Sequence, residues 1–105
     1  MNFAERAVKA CVEAMERGVA SQRHVRDVLR YKGSDVTSIE RFLVHVDPMI
    51  RMMATEVVGA KGNIAVLVSA AIKEEDRSVL LNMMRSINRK SGGIECLVSF
   101  LFLLI

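Results

Sequence analysis

The sequence predicts an all-α fold, arranged as a short α-solenoid of about three antiparallel helix pairs plus a terminal helix. In successive segments, apolar residues recur at spacings of three and four, which is typical of amphipathic helices. The chain has one Pro and six Gly, which argues against a fold rich in tight β-turns. The segments are joined by about two to five residues, so consecutive helices are expected to lie antiparallel.

The composition indicates one domain spanning residues 1–105, with an aliphatic core of modest size. Hydrophobic residues make up 51% of the chain and aromatic residues 5%, with no Trp. Seven Met make part of that core adaptable in shape. The formal net charge of +3 favours a nucleic-acid partner only slightly.

The first three predicted helices are separated by glycines. Residues 2–17 form the first helix, which ends at Gly18. Ser21 caps the second helix, which runs to about residue 32 and stops at Gly33. The third helix starts at Ser34 or Asp35 and has five apolar residues on one face, namely Val36, Ile39, Phe42, Leu43 and Val46.

The fourth helix has the clearest start. Asp47 caps it, and Pro48 occupies a first position where its missing N–H costs nothing. Its apolar face consists of Ile50, Met53, Ala54, Val57 and Val58. Gly59 and Gly62 are expected to supply left-handed positions for ending the helix.

The last three predicted helices differ in polarity. Residues 64–72 also fit a buried strand, but their alanine-rich end and helical neighbours favour a helix to about residue 73. Asp76 caps a sixth helix that runs to about residue 90. The sequence Ser91-Gly92-Gly93 breaks the chain before a seventh helix, residues 94–105.

A repeat of roughly 25–30 residues runs through these segments. Asp76 follows Asp47 by one such period, and Val25-Arg26 precedes the matching Ile50-Arg51 by another. The best copy consists of Asp47-Pro48, Ile50-Arg51, Ala54 and Val58-Gly59. This pattern resembles the HEAT-like repeat family, including the short repeats of phycobilisome-lyase-type proteins.

The resemblance implies a right-handed stack of helix pairs that binds partners on its concave face. It also implies a structural role for Asp47 and Arg51, because the arginine of such repeats ties helix ends and turns together. A ligand-facing Arg51 is the alternative. The resemblance says little about activity, since this family serves many purposes.

The first candidate for partner binding is the arginine row of the second helix, Arg23, Arg26 and Arg30, whose spacings of three and four place it on one face. It suits successive phosphates or an acidic protein segment. A solvated helix face is the favoured alternative, because Asp27 intervenes and only Tyr31 is near for base stacking. The repeat also gives Arg26 the structural position of Arg51.

Met49 and Met52 are further candidates for partner binding, because they fall off the apolar face of the fourth helix. Exposed Met would form an adaptable apolar binding surface, and filling of the core is the alternative.

The final segment is apolar around its whole circumference after Glu95. It is too short to span a bilayer, which needs about 20 residues. We expect it to form a homodimer interface, with self-association carried by Val98, Phe100, Phe102 and Ile105. The alternatives are that the chain is a fragment, or that this segment lies across the module's own groove.

No enzyme, metal or cofactor site is predicted. His24 and His45 stand in no metal-ligand spacing and are expected at the surface. Cys11 and Cys96 are expected to be buried free thiols, with a disulfide as the alternative. No Ser or Cys has a catalytic base beside it, and no signal-peptide pattern is present, so a cytoplasmic location is expected.

The predicted function is therefore a non-enzymatic interaction or scaffold module. It binds a protein partner through its concave helix face and associates with itself through the last helix, without contact to a membrane. The alternative is nucleic-acid binding through Arg23, Arg26 and Arg30, which would weaken steeply as salt rises.

Overall fold

The computed structural model describes residues 1–91 of the chain, and within this range every regular element is a helix. The elements are α1 (Phe3–Glu16), α2 (Gln22–Arg30), a 3₁₀ helix (Thr37–Val44), α3 (Pro48–Lys61), α4 (Ile64–Lys73) and α5 (Arg77–Ser91). The all-α prediction is confirmed, and residues 64–73 are helical rather than extended. The predicted seventh helix, residues 94–105, lies outside the described residues.

The helix starts follow the predicted capping chemistry. Asp47 Oδ1 accepts a hydrogen bond from the N–H of Met49 at 2.9 Å, and Pro48 is the first residue of α3. Asp76 Oδ1 accepts from the N–H of Val79 at 3.1 Å. Each bond satisfies a backbone donor that the first helical turn leaves free.

Gly18 follows the end of α1 as predicted, whereas α2 ends at Arg30 and Gly33 lies in the turn after it. Gly18 and Gly33 have φ angles of 70° and 83°, a region that residues with a Cβ rarely adopt. They turn the chain back after α1 and after α2.

Residues 34–46 were predicted to form an α-helix, and this prediction of the helix type is wrong. Residues Thr37–Val44 form a 3₁₀ helix, and Val46 is 90% exposed rather than buried. A 3₁₀ helix has three residues per turn, so the spacing of Val36, Ile39 and Phe42 places all three on one buried edge. Val46 follows in the extended link to α3, where the helical period no longer applies.

The prediction for Gly59 and Gly62 is also wrong, because neither has a positive φ. Gly59 lies inside α3 and is buried against α5, where a Cβ would come within 2.7 Å of the Cβ of Ser86. At Gly62 the backbone is extended, and a Cβ would come within 2.7 Å of Cγ1 of Val58. Both glycines are required for space rather than for left-handed backbone.

The helices pack in consecutive pairs around one apolar cluster. α1 contacts α2, the 3₁₀ helix contacts α3, and α4 contacts α5. α3 also packs against α2 and, most extensively, against α5, so it lies at the centre of the fold. The largest fully buried side chains include Met15, Val28, Ile39, Leu43, Ile50, Leu67, Met83 and Ile87.

Two lysines, each in the last turn of its helix, donate hydrogen bonds to carbonyl groups at the end of an earlier helix. Lys61 Nζ, at the end of α3, donates to the carbonyl oxygens of Val28, at 3.0 Å, and of Tyr31, at the end of α2. Lys90 Nζ, near the end of α5, donates to the Gly62 carbonyl oxygen after α3 at 2.6 Å. A positive charge suits the negative end of a helix dipole. The two lysines are separated along the chain by the same distance as the two capping aspartates.

Candidate binding surface on helices α1 and α2

The candidate site that contains the predicted arginines is a shallow groove between α1 and α2, called here the α1–α2 groove. Its volume is about 370 Å³. The start of α1 meets the end of α2 there, because the two helices form a helix pair. The groove is lined by Phe3, Arg6, Ala7, Ala10, Arg23, Asp27, Arg30 and Tyr31.

An aromatic pair lies at one end of this groove. The rings of Phe3 and Tyr31 stack with centroids 5.8 Å apart and an interplanar angle of 15°. Phe3 is 67% exposed, so much of its ring faces water, whereas Tyr31 is half-buried. Tyr31 packs against the apolar core, and its ring holds that of Phe3 in place at the surface.

Arginines flank both rings. The Cζ atom of Arg6 lies 6.0 Å from the centroid of Phe3, and Cζ of Arg30 lies 5.6 Å from the centroid of Tyr31. Both distances fall within the range of cation–π attraction. The groove therefore combines positive charge with aromatic surface.

The predicted arginine row is exposed along its whole length. Arg23 and Arg30 line the groove, whereas Arg26 lies beside it. None of the three side chains makes a hydrogen bond or an ion pair with any residue in the range 1–91. In this groove their positive charge is opposed only by Asp27.

The other side of α1 has the opposite charge. A wider groove of about 600 Å³ lies there, between α1 and the segment that leads into the 3₁₀ helix. Its lining includes Glu5, Glu13, Glu16 and Asp35, with Lys9 as the single basic residue. Thr37 donates two hydrogen bonds to Asp35, from its hydroxyl and its backbone N–H, and these lower the pKa of that carboxyl group.

Arg51 is used in a different way from the arginines of α2. Its Nε and Nη2 atoms donate to the two carboxylate oxygens of Glu74 at 2.8 and 3.0 Å. Its Nη1 atom donates to the carbonyl oxygens of His45 and Val46. The Glu74 side chain is only 2% exposed, so this is a buried bidentate ion pair. Arg51 ties the turn before α3 to the turn before α5.

The candidate methionines lie outside the α1–α2 groove. Met49 is 59% exposed, at the start of α3, and Val44 and Val46 are exposed nearby in sequence. Met52 is half-buried against the core, and its sulfur accepts a hydrogen bond from the side-chain amide of Asn82 at 2.7 Å. The two residues therefore have different environments, and only Met49 presents an open apolar surface.

The histidines act as local caps. Nδ1 of His24 accepts from the N–H of Ser21 at 3.1 Å, and Nδ1 of His45 accepts from the N–H of Asp47 at 3.0 Å. Both residues are half-buried, so the expectation that they are simply exposed is wrong. Their sequence neighbours explain this, since each ring bonds a backbone group only two or three residues away.

Cys11 is a buried free thiol, and burial raises its pKa to about 11. Its predicted alternative partner, Cys96, lies outside the described residues. So do the self-association residues, Val98, Phe100, Phe102 and Ile105.

Two kinds of feature are absent from the described part of the chain. Residues 1–91 contain no group of three or more His, Cys, Asp or Glu side chains placed to hold a metal ion. Within the same range, none of the helices combines the length and the apolar character needed to cross a membrane.

Phe3 and Arg6 are the site residues that sequence reasoning missed. Phe3 lies off the apolar face of α1, and Tyr31 follows the last residue of α2. The short link between α1 and α2 predicts an antiparallel pair and so places the start of α1 near the end of α2, but it does not specify that the two rings stack.

Comparisons of the chain with protein-family models, with curated proteins and with solved structures found no match.

Proposed function

We propose that this protein is a non-enzymatic binding module that recognises a negatively charged partner at the α1–α2 groove. The observation that carries the proposal is the exposed arginine row of α2. Arg23, Arg26 and Arg30 have no hydrogen-bond or ion-pair partner among residues 1–91, whereas Arg51 is fully engaged. Unpaired guanidinium groups are suited to bidentate contacts with carboxylates or phosphates.

The proposal that the module is non-enzymatic rests on the reactive groups that the described residues offer. The thiolate of Cys11 is disfavoured at neutral pH because its pKa is raised to about 11, and its side chain is buried. The Nδ1 atoms of His24 and His45 already accept backbone N–H groups. A catalytic role for these residues would require these arrangements to be broken.

The proposed architecture is a short right-handed stack of three helix pairs from the HEAT-like repeat class. Support comes from the pairwise contacts of α1 with α2, of the 3₁₀ helix with α3, and of α4 with α5. The capping aspartates and the pair Lys61 and Lys90 recur at the same spacing along the chain. Stacked units of this kind present extended surfaces to partners.

A second candidate is binding of a protein partner through an apolar surface at the start of α3. The observation that favours it is the exposure of Val44, Val46 and Met49, which are close together in the sequence. Apolar side chains grouped at a surface are typical of interfaces. Self-association through Val98, Phe100, Phe102 and Ile105 stays a separate prediction, to be tested by sedimentation of the chain and of Phe102→Glu.

Binding to poly-L-glutamate, followed by fluorescence anisotropy at about 50 and 200 mM salt, tests the first candidate. The double variant Arg23→Gln/Arg30→Gln is expected to weaken binding by about tenfold or more. The matched control is Arg77→Gln/Arg85→Gln, which removes two exposed arginines of α5 and should change binding by less than about twofold. Equal losses in the two double variants would show that net charge, not the α1–α2 groove, attracts the polymer.

A further inference from the structure

We propose that the α1–α2 groove binds single-stranded nucleic acid, with a base stacked on the exposed ring of Phe3 and phosphates held by Arg23 and Arg30. This inference rests on the proposed function, because it names the class of negatively charged partner for the same surface.

The aromatic pair is the observation that separates nucleic acid from other anions. The carboxylates of an acidic peptide would engage the arginines but gain nothing from the electron-rich face of a phenyl ring that is 67% exposed. A nucleobase stacks on such a ring, and every base has a π face. The stack on Tyr31, at 5.8 Å and 15°, holds the ring of Phe3 in one orientation before any ligand arrives. A ring that is already oriented loses less entropy on binding.

The arginines are spaced along α2 as the backbone of a nucleic-acid strand requires. Arg23 and Arg30 are two helical turns apart in α2, which corresponds to about 10 Å along the helix axis. The Tyr31 end of the row therefore carries the aromatic surface, and the Arg23 end extends the positive charge along the groove. A single-stranded nucleic acid that stacks one base on Phe3 would place its following phosphates over the arginines.

The same geometry favours a single strand over a duplex. In a duplex both faces of each internal base are covered by the neighbouring bases, so Phe3 would reach only a terminal pair. A single strand can present a base face to the ring while its backbone follows the positive groove.

The binding test uses the full 105-residue chain and a labelled oligothymidine of about 12 nucleotides, a length within the usual range for single-strand grooves. Phe3→Leu keeps an apolar side chain but removes the π face, and we expect affinity to fall by about tenfold. Phe3→Tyr restores an aromatic ring and should bind within about twofold of the unchanged chain. Circular dichroism and thermal unfolding of both variants show whether the fold is retained.

The charge test measures the salt dependence of the same binding. Each Arg that contacts a phosphate contributes about 0.7 to the slope of log Kobs against log salt for a single strand. Arg23→Gln and Arg30→Gln should each reduce the slope by about that amount, whereas Arg85→Gln on α5 should leave it unchanged.

A third measurement needs no variant. Tyr31 is the only Tyr of the chain, and there is no Trp, so the intrinsic emission reports on this groove alone. Oligothymidine is expected to quench Tyr31 emission, and poly-L-glutamate at equal saturation is expected to quench it much less.

The outcomes separate the inference from the proposed function. Weaker oligothymidine binding by Phe3→Leu, with rescue by Phe3→Tyr and quenching of Tyr31, supports stacking. Binding of a duplex of equal length as tightly as the single strand, or no effect of Phe3→Leu, overturns the inference. If poly-L-glutamate binds through Arg23 and Arg30 while oligothymidine does not, the proposed function stands and the partner is an acidic protein. If neither polymer binds, both proposals are wrong.

Discussion

α2 and α3 each carry an arginine of the predicted repeat but have different environments. In the sequence, Arg26 of α2 matches Arg51 of α3. Arg51 makes four hydrogen bonds, to Glu74 and to two carbonyl groups, whereas Arg26 makes none within the described residues. α3 buries seven residues over 14 positions, and α2 buries only Val25 and Val28 over nine. α3 holds the fold together, and α2 presents its polar side to solvent.

The difference lies in the partners of the two arginines. The carboxylate that engages Arg51 belongs to Glu74, in the turn before α5. The residue that stands at the same distance after Arg26 is Met49, which has no charge. Arg51 is therefore structural through the carboxylate of Glu74, whereas no carboxylate among residues 1–91, including Asp47 in the turn before α3, pairs with the side chain of Arg26.

The largest expected effect is on the buried ion pair. Arg51→Ala would leave the carboxylate of Glu74, which is 2% exposed, without its partner. We expect a loss of about 3–5 kcal/mol in the free energy of unfolding, because removal of one partner strands a buried charge. Urea denaturation measures it. Equal destabilisation by Arg26→Ala would contradict the distinction between the two helices.

The next effect concerns the close approach of α3 to α5. Gly59→Val would force a side chain against Ser86, whose Cβ lies 2.7 Å from the position of a Cβ on residue 59. We expect a loss of about 1–3 kcal/mol from overpacking. Ala60→Val, at the adjacent exposed position of α3, is the matched control and should cost about 0.6 kcal/mol through helix propensity. The interpretation fails if the two variants have the same midpoint of urea unfolding.

A smaller effect is expected at the contact that joins the two helices. Lys61→Met removes the donor that caps the carbonyl groups of Val28 and Tyr31 at the end of α2. We expect a loss of about 1–2 kcal/mol, at the low end for hydrogen bonds made by a charged group, because Lys61 is only half-buried. The substitution should increase the rate of amide hydrogen exchange more in α2 than in α5. Faster exchange in α5 instead of α2 would show that Lys61 does not hold the end of α2.

The smallest effect is expected for Arg26→Gln. This side chain is exposed and makes no hydrogen bond or ion pair among residues 1–91, so the free energy of unfolding should change by less than about 0.5 kcal/mol. The measurement is the urea midpoint, compared with that of Arg51→Gln. A loss above about 1 kcal/mol, on the order of a structural hydrogen bond, would place Arg26 in the same class as Arg51.

The helix positions could be predicted well because their signals are local. Asp47 and Asp76 bond N–H groups two and three residues away, and Gly18 and Gly33 set the backbone at their own positions. The helix type of residues 37–44 was missed, since a spacing of three fits both helical forms over a short segment.

The candidate site was predicted only in part. The row Arg23, Arg26 and Arg30 was found from its spacing along one helix. Phe3 was not, because its partner Tyr31 lies beyond the end of the next helix and the contact exists only once α1 and α2 pair. Met49 and Met52 both fall off the apolar face of α3. Met52 is nevertheless half-buried, because α5 packs against it and places Asn82 beside its sulfur.

The sequence by itself determined the helical class of residues 1–91 and the helix caps, since these depend on interactions within about one helical turn. Only the tertiary structure decided the roles of the glycine and the arginines of the predicted repeat. Gly59 serves a helix contact rather than a helix end, Arg51 is buried with Glu74, and Arg26 is left in solvent. The environments of Gly59 and Arg51 depend on Ser86 and Glu74, which lie far along the chain in another helix and another turn. No local sequence pattern specifies that these residues come close.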